Sequence, residues 1–184
     1  MVEELDENRL IAACKAGDHD AFEVLVRENQ QMIHALAFRM TGSASDAEDL
    51  AQETFLAAFR KLPDFRGDAR FSSWLYRIGV NLALNWRQNE ARRSRTHTDW
   101  AARATLEHAS EISTDGSMSE RAQEALLRLS SKQRAAIVLT VYDGLNHAEA
   151  ARILDCSETT VSWRVFSARR KLKRWLDDRR ARSA

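Results

Sequence analysis

The stretch of sequence that decides the fold is residues 71–93, FSSWLYRIGVNLALNWRQNEARR. Its apolar side chains recur at helical spacing and predict one buried stripe, formed by Trp74, Leu75, Ile78, Leu82 and Trp86. Ser72 or Ser73 is the expected N-cap. The opposite face is polar and cationic, with Arg77, Asn81, Asn85, Arg87 and Gln88. The pattern therefore predicts an amphipathic helix whose outer face is rich in amides and guanidinium groups.

A glycine-centred loop, DFRGDAR at residues 64–70, precedes this helix. It brings aromatic and cationic side chains close to the helix start. Arginine and amide side chains bind nucleic-acid backbones, and an aromatic ring can stack on an exposed base. The loop and the helix after it together therefore predict a contact with nucleic acid. An amphipathic core helix with a solvated face is the alternative that these residues leave open.

Composition narrows the class of protein. The 184 residues include one proline and six glycines, which favours an almost wholly helical chain of one domain or two small ones. No apolar run is long enough to cross a bilayer. Cys14 and Cys156 lie far apart without CxxC partners, so we expect reduced, buried thiols in a cytosolic protein.

Charge alternates along the chain although the net value is only +1. Residues 1–59 carry −8, residues 60–103 carry +6, residues 104–160 carry −4 and residues 161–184 carry +7. Two basic blocks between acidic ones predict two contact zones for a polyanion, with the acidic parts facing another partner.

In the N-terminal half, the pairs Asp20–Glu23 and Ser45–Glu48 have capping-box spacing and predict two helix starts. Pro63 blocks continuation of the second helix. The outer face of that helix is acidic, with Asp46, Glu48, Asp49, Gln52 and Glu53. Such a cluster is either a solvated face or a docking surface for a basic partner.

Helical periodicity is lost near residues 96–118, which we interpret as a linker. Beyond it, Ser130 or Ser131 is the expected cap of a helix whose inward face includes Val138, Leu139 and Tyr142. Asn146 and Glu149 form a further capping box. Residues 155–157 then make a short turn, and a last helix is predicted from Glu158 to about Trp175.

These two final helices match a helix-turn-helix, because a short helix, a tight turn and a polar second-helix start occur together. Major-groove contacts are expected from Thr159, Thr160, Ser162, Trp163 and Arg164. The following cations, including Arg169 and Arg170, suit phosphate contacts. A helical hairpin with a cationic tail is the alternative.

The chain resembles the extracytoplasmic-function (ECF) group of bacterial sigma factors over nearly its whole length. DAEDLAQETFLAAFRKLPDFRGDARFSSWLYRIGVNLALNWRQNEARR resembles their region two, and LLRLSSKQRAAIVLTVYDGLNHAEAARILDCSETTVSWRVFSARRKL resembles their region four. The resemblance implies an all-α protein with a region-two domain at 1–95, a flexible linker at 96–118 and a region-four domain at 119–184. Its implied function is promoter recognition and melting for RNA polymerase in a stress or envelope response.

The resemblance also implies a role for particular residues. Contacts to the clamp coiled coil of core polymerase fall on Asp46, Asp49, Gln52 and Glu53. Contacts to the minus-10 element fall on Phe65, Arg66, Arg70, Phe71, Trp74, Arg77, Asn81 and Asn85, with Asn81 holding a flipped base. Contacts to the minus-35 element fall on Thr159, Thr160, Ser162, Trp163, Arg164, Phe166, Ser167, Arg169 and Arg170.

Some positions depart from the family pattern. Ser162 and Ser167 stand where basic residues are usual, Trp163 replaces a small serine, and His147 replaces a tyrosine or serine. These departures bear on the preferred minus-35 sequence. The implied partners are core polymerase, including its flap, promoter DNA and an anti-sigma factor, and the implied state is a cytoplasmic monomer.

No phosphate-binding loop, catalytic motif or zinc spacing occurs in the sequence, so we expect no enzyme activity, no metal and no cofactor. A DNA-binding regulator that acts without polymerase is one alternative. A protein-interaction module that never touches DNA is the other, and the two basic blocks weigh against it.

Overall fold

The computed structural model describes the backbone of residues 2–96 and 118–183 and the side chains of residues 7–86 and 120–178. All regular structure in these ranges is helical, as the composition predicts. The N-terminal half contains α1 (Val2–Lys15), α2 (His19–Thr41), α3 (Ala44–Lys61), a 3-10 turn (Leu62–Asp64) and α4 (Phe71–Thr96). The C-terminal half contains α5 (Met118–Leu127), α6 (Ser131–Ile137), a π-helical turn (Val138–Tyr142), α7 (His147–Ile153) and α8 (Glu158–Ser183).

Helices α2 and α3 each begin slightly earlier in the chain than predicted. Asp18 caps α2 by accepting hydrogen bonds from the amides of Asp20 and Ala21, and Ser43 caps α3 through the Asp46 amide. Two acceptors compete at each site, and the more N-terminal one adopts the extended backbone that an N-cap requires. The predicted boxes beginning at Asp20 and Ser45 are therefore wrong.

The predicted N-cap of α4, Ser72 or Ser73, is wrong as well, because α4 already begins at Phe71. The last helix also runs past the predicted end near Trp175, continuing to Ser183. The two capping sites predicted in the C-terminal half are confirmed. Ser130 and Asn146 each form a complete capping box, with Gln133 and Glu149 respectively.

Apolar side chains from both halves form one continuous core. Leu36, Leu75 and Val80 are fully buried in the N-terminal half, as are Leu139 and Val161 in the C-terminal half. Tyr142, expected to face inward, is 41% exposed, because the chain leaves the helix there and its ring packs on a cation instead. Both cysteines are free and half-buried, which is less burial than expected.

The two halves also contact each other directly, a placement that the sequence left open. Helices α2 and α4 of the first half pack against α5, α6 and α7 of the second. The predicted linker at 96–118 lies outside the described residues apart from its two ends. No helix within the described ranges is both long and apolar enough to pass through a bilayer.

Candidate polymerase and promoter interfaces

The acidic face of α3 borders an open apolar groove. Asp49, Gln52 and Glu53 are exposed, whereas Asp46 is half-buried where the helix starts. The groove between α2 and α3 has a volume of about 840 Å³ and is lined mainly by apolar side chains, among them Phe22, Val26, Ala51, Phe55, Leu56 and Phe59. Gln52 and Glu48 also line it. This surface combines an apolar floor with a carboxylate rim.

The sequence analysis predicted the acidic residues beside this groove, but it did not predict that apolar side chains at its base would stay exposed. Leu56 and Phe59 remain 48% and 36% exposed, which is unusual for large apolar residues on a packed helix. The ring of Phe59 leans on Phe22 of α2, with 4.9 Å between centroids in an edge-on arrangement. The helical period predicts which face of α3 is apolar, but it does not show that α2 leaves part of that face uncovered.

A row of polar side chains follows the outer face of α4. Arg77, Asn81 and Asn85 are all exposed. Their spacing of four residues places them one above the other on a helix. Trp74, half-buried, lies one turn earlier at the same face. A planar ring, a guanidinium and two amides are thereby aligned along one helix.

In the loop before α4 the cationic side chains are exposed, whereas the aromatic rings at its two ends are buried. Arg66 and Arg70 are exposed, and Gly67 adopts a positive φ of 76° that a glycine accommodates without strain. Phe65 is 6% exposed and Phe71 is 1% exposed. Their centroids lie 6.0 Å apart, and Phe65 and Phe71 lie 5.0 and 5.6 Å from the ring of Trp74.

This burial weighs against the predicted contact of Phe65 and Phe71 with DNA, which stays a prediction. Both rings lie in the core and pack against each other edge-on. Each also packs at a tilt against the ring of Trp74 and supports it on its buried side. An aromatic residue next to arginines gives the same sequence pattern whether its ring stacks on a DNA base or packs in the protein core. The sequence therefore did not distinguish these two roles.

Helix α1 holds both ends of this loop. The Lys15 ammonium donates a hydrogen bond to the carbonyl of Phe65, and the backbone amide of Phe71 donates to Glu7 Oε1 at 3.3 Å. The Glu7 carboxylate thus accepts a hydrogen bond from one of the backbone amides that have no partner within the helix at its N-terminus. Neither residue was predicted, since both lie at least 50 residues away in sequence from their partners.

Two aromatic rings dominate the outer face of the second helix of the helix-turn-helix. Trp163 is 65% exposed and Phe166 is 63% exposed. Thr159 and Arg170 lie on the same face at helical spacing and are exposed, as is Arg169 beside them. The face therefore offers apolar rings flanked by a hydroxyl and cations.

Three other predicted DNA contacts on α8 already have partners within the protein. Ser162 Oγ lies 2.8 Å from His147 Nδ1, Ser167 Oγ accepts from Gln133 Nε2 at 2.9 Å, and Arg164 Nη1 donates to Cys156 Sγ at 3.5 Å. The hydroxyls of Thr159, which is exposed, and of Thr160, which is half-buried, each lie 2.8 Å from that of Ser157. These bonds tie α8 to the turn and to its neighbouring helices.

No group of acidic, histidine and cysteine side chains suited to hold a metal ion occurs among the described residues. Among the described residues, the two groups with a strongly raised pKa are Tyr76 and Asp143, mainly because both are buried. They lie where the two halves meet and not in the exposed rows of α4 and α8.

Residues 25–93 match the family description Sigma-70 region 2, and residues 119–172 match Sigma-70, region 4. The chain is 38% identical over 176 residues to the ECF RNA polymerase sigma factor SigM of Mycobacterium tuberculosis, covering 94% of this chain and 86% of that protein. The protein thus belongs to the ECF sigma factors of bacterial RNA polymerase.

Two solved structures share the fold. CnrH in complex with the cytosolic domain of CnrY is 32% identical, with a TM-score of 0.65, covering 94% of this chain and 98% of that one. The sigma factor RpoE of Bartonella quintana, in complex with the anti-sigma factor NepR, is 26% identical, with a TM-score of 0.65, covering 85% of this chain and 96% of that one.

Membership of this family confirms the predicted all-α fold with sigma regions two and four. It also confirms the predicted role in promoter-specific transcription initiation, in which the polymerase and not the sigma factor supplies the chemistry.

Proposed function

We propose that the exposed row Arg77, Asn81 and Asn85 on α4 binds the melted minus-10 strand, with Trp74 and the loop cations Arg66 and Arg70 beside it. The single observation that carries this assignment is the alignment of these polar groups along one exposed helix face within region two. Unstacking a base step costs about a few kcal/mol, which contacts to the extruded base offset.

The minus-35 element is proposed to bind the outer face of α8. Trp163 and Phe166 reach apolar edges such as the thymine methyl, while Thr159, Arg169 and Arg170 hold bases and phosphates. Thr160, Ser162, Arg164 and Ser167 act chiefly by fixing the position of α8 through the bonds described above. The two units are proposed to be residues 1–95 and 119–184, joined by residues 96–118.

The acid-rimmed groove is proposed as the contact for core polymerase, its clamp coiled coil in particular. A basic, amphipathic partner helix matches this surface, because its apolar side chains would fill the groove and its cations would meet Asp46, Asp49 and Glu53. Gln52 lies between the two kinds of contact. The flap of core polymerase is the partner proposed for region four.

An anti-sigma partner is proposed because the relative RpoE was solved with an anti-sigma factor. The protein is further proposed to act as a cytoplasmic monomer in a stress or envelope response.

Charge reversal on the groove rim tests the polymerase contact. Asp49→Lys combined with Glu53→Lys should weaken core binding about tenfold or more, because carboxylates that face a basic partner would become repulsive. The measurement is a titration of fluorescently labelled chain with core polymerase at fixed salt.

Glu28→Lys is the matched control, since Glu28 is an exposed carboxylate on α2 and not on the acidic face of α3. An unchanged affinity for the double variant would contradict the proposed contact. A loss as large in Glu28→Lys would show a general charge effect instead of a specific surface.

A further inference from the structure

Helix α4 begins after a residue that cannot cap it. The carbonyl of Arg70 accepts the hydrogen bond from the amide of Trp74 at 3.1 Å, which places Arg70 at the N-cap position. An arginine side chain has donors but no acceptor. Arg70 therefore cannot supply the side-chain acceptor that the free amides of a helix start need.

Glu7 of α1, 64 residues away in sequence, supplies an acceptor at this point. Its Oε1 lies 3.3 Å from the backbone nitrogen of Phe71, the first residue of α4. A carboxylate placed here also faces the positive end of the α4 dipole, which favours a negative charge. The position of the first turn of α4, which carries Trp74, thus depends on a residue from another helix.

The same helix holds the other end of the loop. Lys15 donates a hydrogen bond to the carbonyl of Phe65. It lies about two helical turns after Glu7, on the same side of α1. Ile11, which lies between them on that side, is 6% exposed and packs in the core. Helix α1 is therefore anchored by its apolar side chains and contacts the loop at both ends.

The segment between these two points is exposed. Residues 66–70 all lie at the surface, and they include Gly67 with its positive φ. Ordering such a segment costs conformational entropy. Because two bonds to α1 already fix its ends, less of that cost remains when Arg66 and Arg70 bind a nucleic-acid strand.

The bonds to α1 also determine where the ring of Trp74 lies. Phe65 and Phe71 are the residues whose backbone groups α1 holds, and their rings pack against Trp74 with 5.0 and 5.6 Å between centroids. A shift of either backbone would displace a ring that supports Trp74. One helix thus fixes both the loop cations and the aromatic ring beside them.

We infer that Glu7 and Lys15 are positioning residues for the capture of the melted minus-10 strand. Helix α1 holds residues 65–71 and Trp74 in the arrangement that receives the strand, without contacting a base itself. The inference rests on the proposed minus-10 contact of α4. It gives a role in promoter opening to a helix that precedes residues 25–93, the part of the chain that matches region two.

The sign of the effect at Glu7 separates positioning from simple electrostatics. DNA is a polyanion, so removal of a nearby carboxylate should strengthen binding if charge alone matters. Positioning predicts the opposite. Glu7→Ala should weaken binding of a single-stranded minus-10 oligonucleotide about three- to tenfold, which is typical for the loss of one helix-capping bond. Lys15→Met, which removes the other bond, should weaken it by a similar factor.

The measurement is the fluorescence anisotropy of the labelled oligonucleotide, titrated with each variant in complex with core polymerase. The oligonucleotide carries the minus-10 sequence of a promoter that the wild-type complex opens. Glu7→Gln keeps an acceptor oxygen for the Phe71 amide, so it should restore most of the affinity. Asn8→Ala and Arg9→Met change exposed neighbours on α1 and should stay within about twofold of the wild type.

Two further affinities show whether the effect is confined to the minus-10 strand. Binding to core polymerase should not change, because the residues that line the acid-rimmed groove belong to α2 and α3. Binding of the complex to a minus-35 duplex should not change either. An equal loss for the minus-35 duplex would mean that α1 supports the fold in general and would overturn the inference. A Glu7→Ala variant that binds the oligonucleotide as tightly as the wild type, or more tightly, would overturn it too.

Asn81→Ala in the same titration distinguishes failure of this inference from failure of the proposed function. If Asn81→Ala weakens oligonucleotide binding whereas Glu7→Ala and Lys15→Met do not, α4 captures the strand without help from α1. If none of the three variants changes the affinity, the proposed minus-10 contact is wrong and the inference is overturned with it.

Hydrogen exchange of the Phe71 amide in the free chain provides a test without DNA. NMR should show slower exchange in the wild type and in Glu7→Gln than in Glu7→Ala, because only the first two offer this amide an acceptor. Equally fast exchange in the wild type and in Glu7→Ala would show that Glu7 does not hold the start of α4, and would overturn the inference.

Discussion

Asn81→Ala is expected to lower promoter opening about 10- to 100-fold while leaving core binding unchanged. A well-placed amide contact to a base edge contributes about 1–3 kcal/mol, and each 1.4 kcal/mol corresponds to a factor of ten. Asn81 is exposed at the middle of the row between Arg77 and Asn85. Truncating it removes the paired donor and acceptor without disturbing the buried face of α4.

The measurement is permanganate reactivity of unpaired thymines in the promoter, taken with saturating core polymerase and variant protein. Core affinity is measured in parallel by titration. Asn8→Ala is the matched control, because Asn8 is an exposed asparagine on α1, outside the exposed rows of α4 and α8. Equal loss of opening and of core binding would contradict the assignment of Asn81 to the minus-10 strand.

The position of Asn81 shows what helical periodicity can establish. The apolar stripe of α4 predicts part of the buried face, although Val80, nearly opposite the stripe, is buried as well. Leu75 and Ile78 are buried while Asn81 and Asn85 are exposed, as the spacing requires. The all-α class and the helix-turn-helix follow from the same kind of local information, because caps, turns and periods all act within a few residues.

Contacts between distant residues leave no such local pattern. Arg39 and Asp143 form an ion pair although they are separated by 104 residues, and each has an ordinary local role, near a helix end and in a turn. The packing of Phe65 and Phe71 under Trp74, and the apolar groove beside α3, likewise depend on which neighbouring helix covers a surface. These features needed the assembled structure. The misplaced caps of α2 and α3 have a local cause instead, because two nearby acceptors compete at each helix start.

Arg134 is the most consequential residue of this kind. It is charged, 0% exposed and lies on α6, where its charge predicts an exposed side chain although the residues that follow it are apolar. Its guanidinium donates to the carbonyls of Leu126 at 2.8 Å and Leu127 at 2.7 Å, which are the last carbonyls of α5, and also to Met40 of region two. The planar fork of arginine spreads five donors in fixed directions, whereas the three donors of a lysine ammonium all lie on one nitrogen atom.

Arg134→Met is therefore expected to destabilise the protein by about 3–5 kcal/mol, because it leaves several buried carbonyls without donors in a site that a methionine only partly fills. Since free energies of unfolding are about 5–15 kcal/mol, such a loss is large enough to unfold region four in part of the population. Urea unfolding of the full chain, followed by circular dichroism, measures it. Lys132→Met, an exposed cation on the same helix, is the control and should change stability by less than about 0.5 kcal/mol.

Arg134→Lys separates charge from geometry at this site. It keeps the positive charge but not the fork, so we expect it to recover only a minor part of the lost stability. Because the bond to Met40 crosses between the two halves, both variants should also broaden unfolding into two transitions, with region four unfolding first. A single sharp transition at wild-type urea concentration would mean that Arg134 neither supports region four nor couples it to region two.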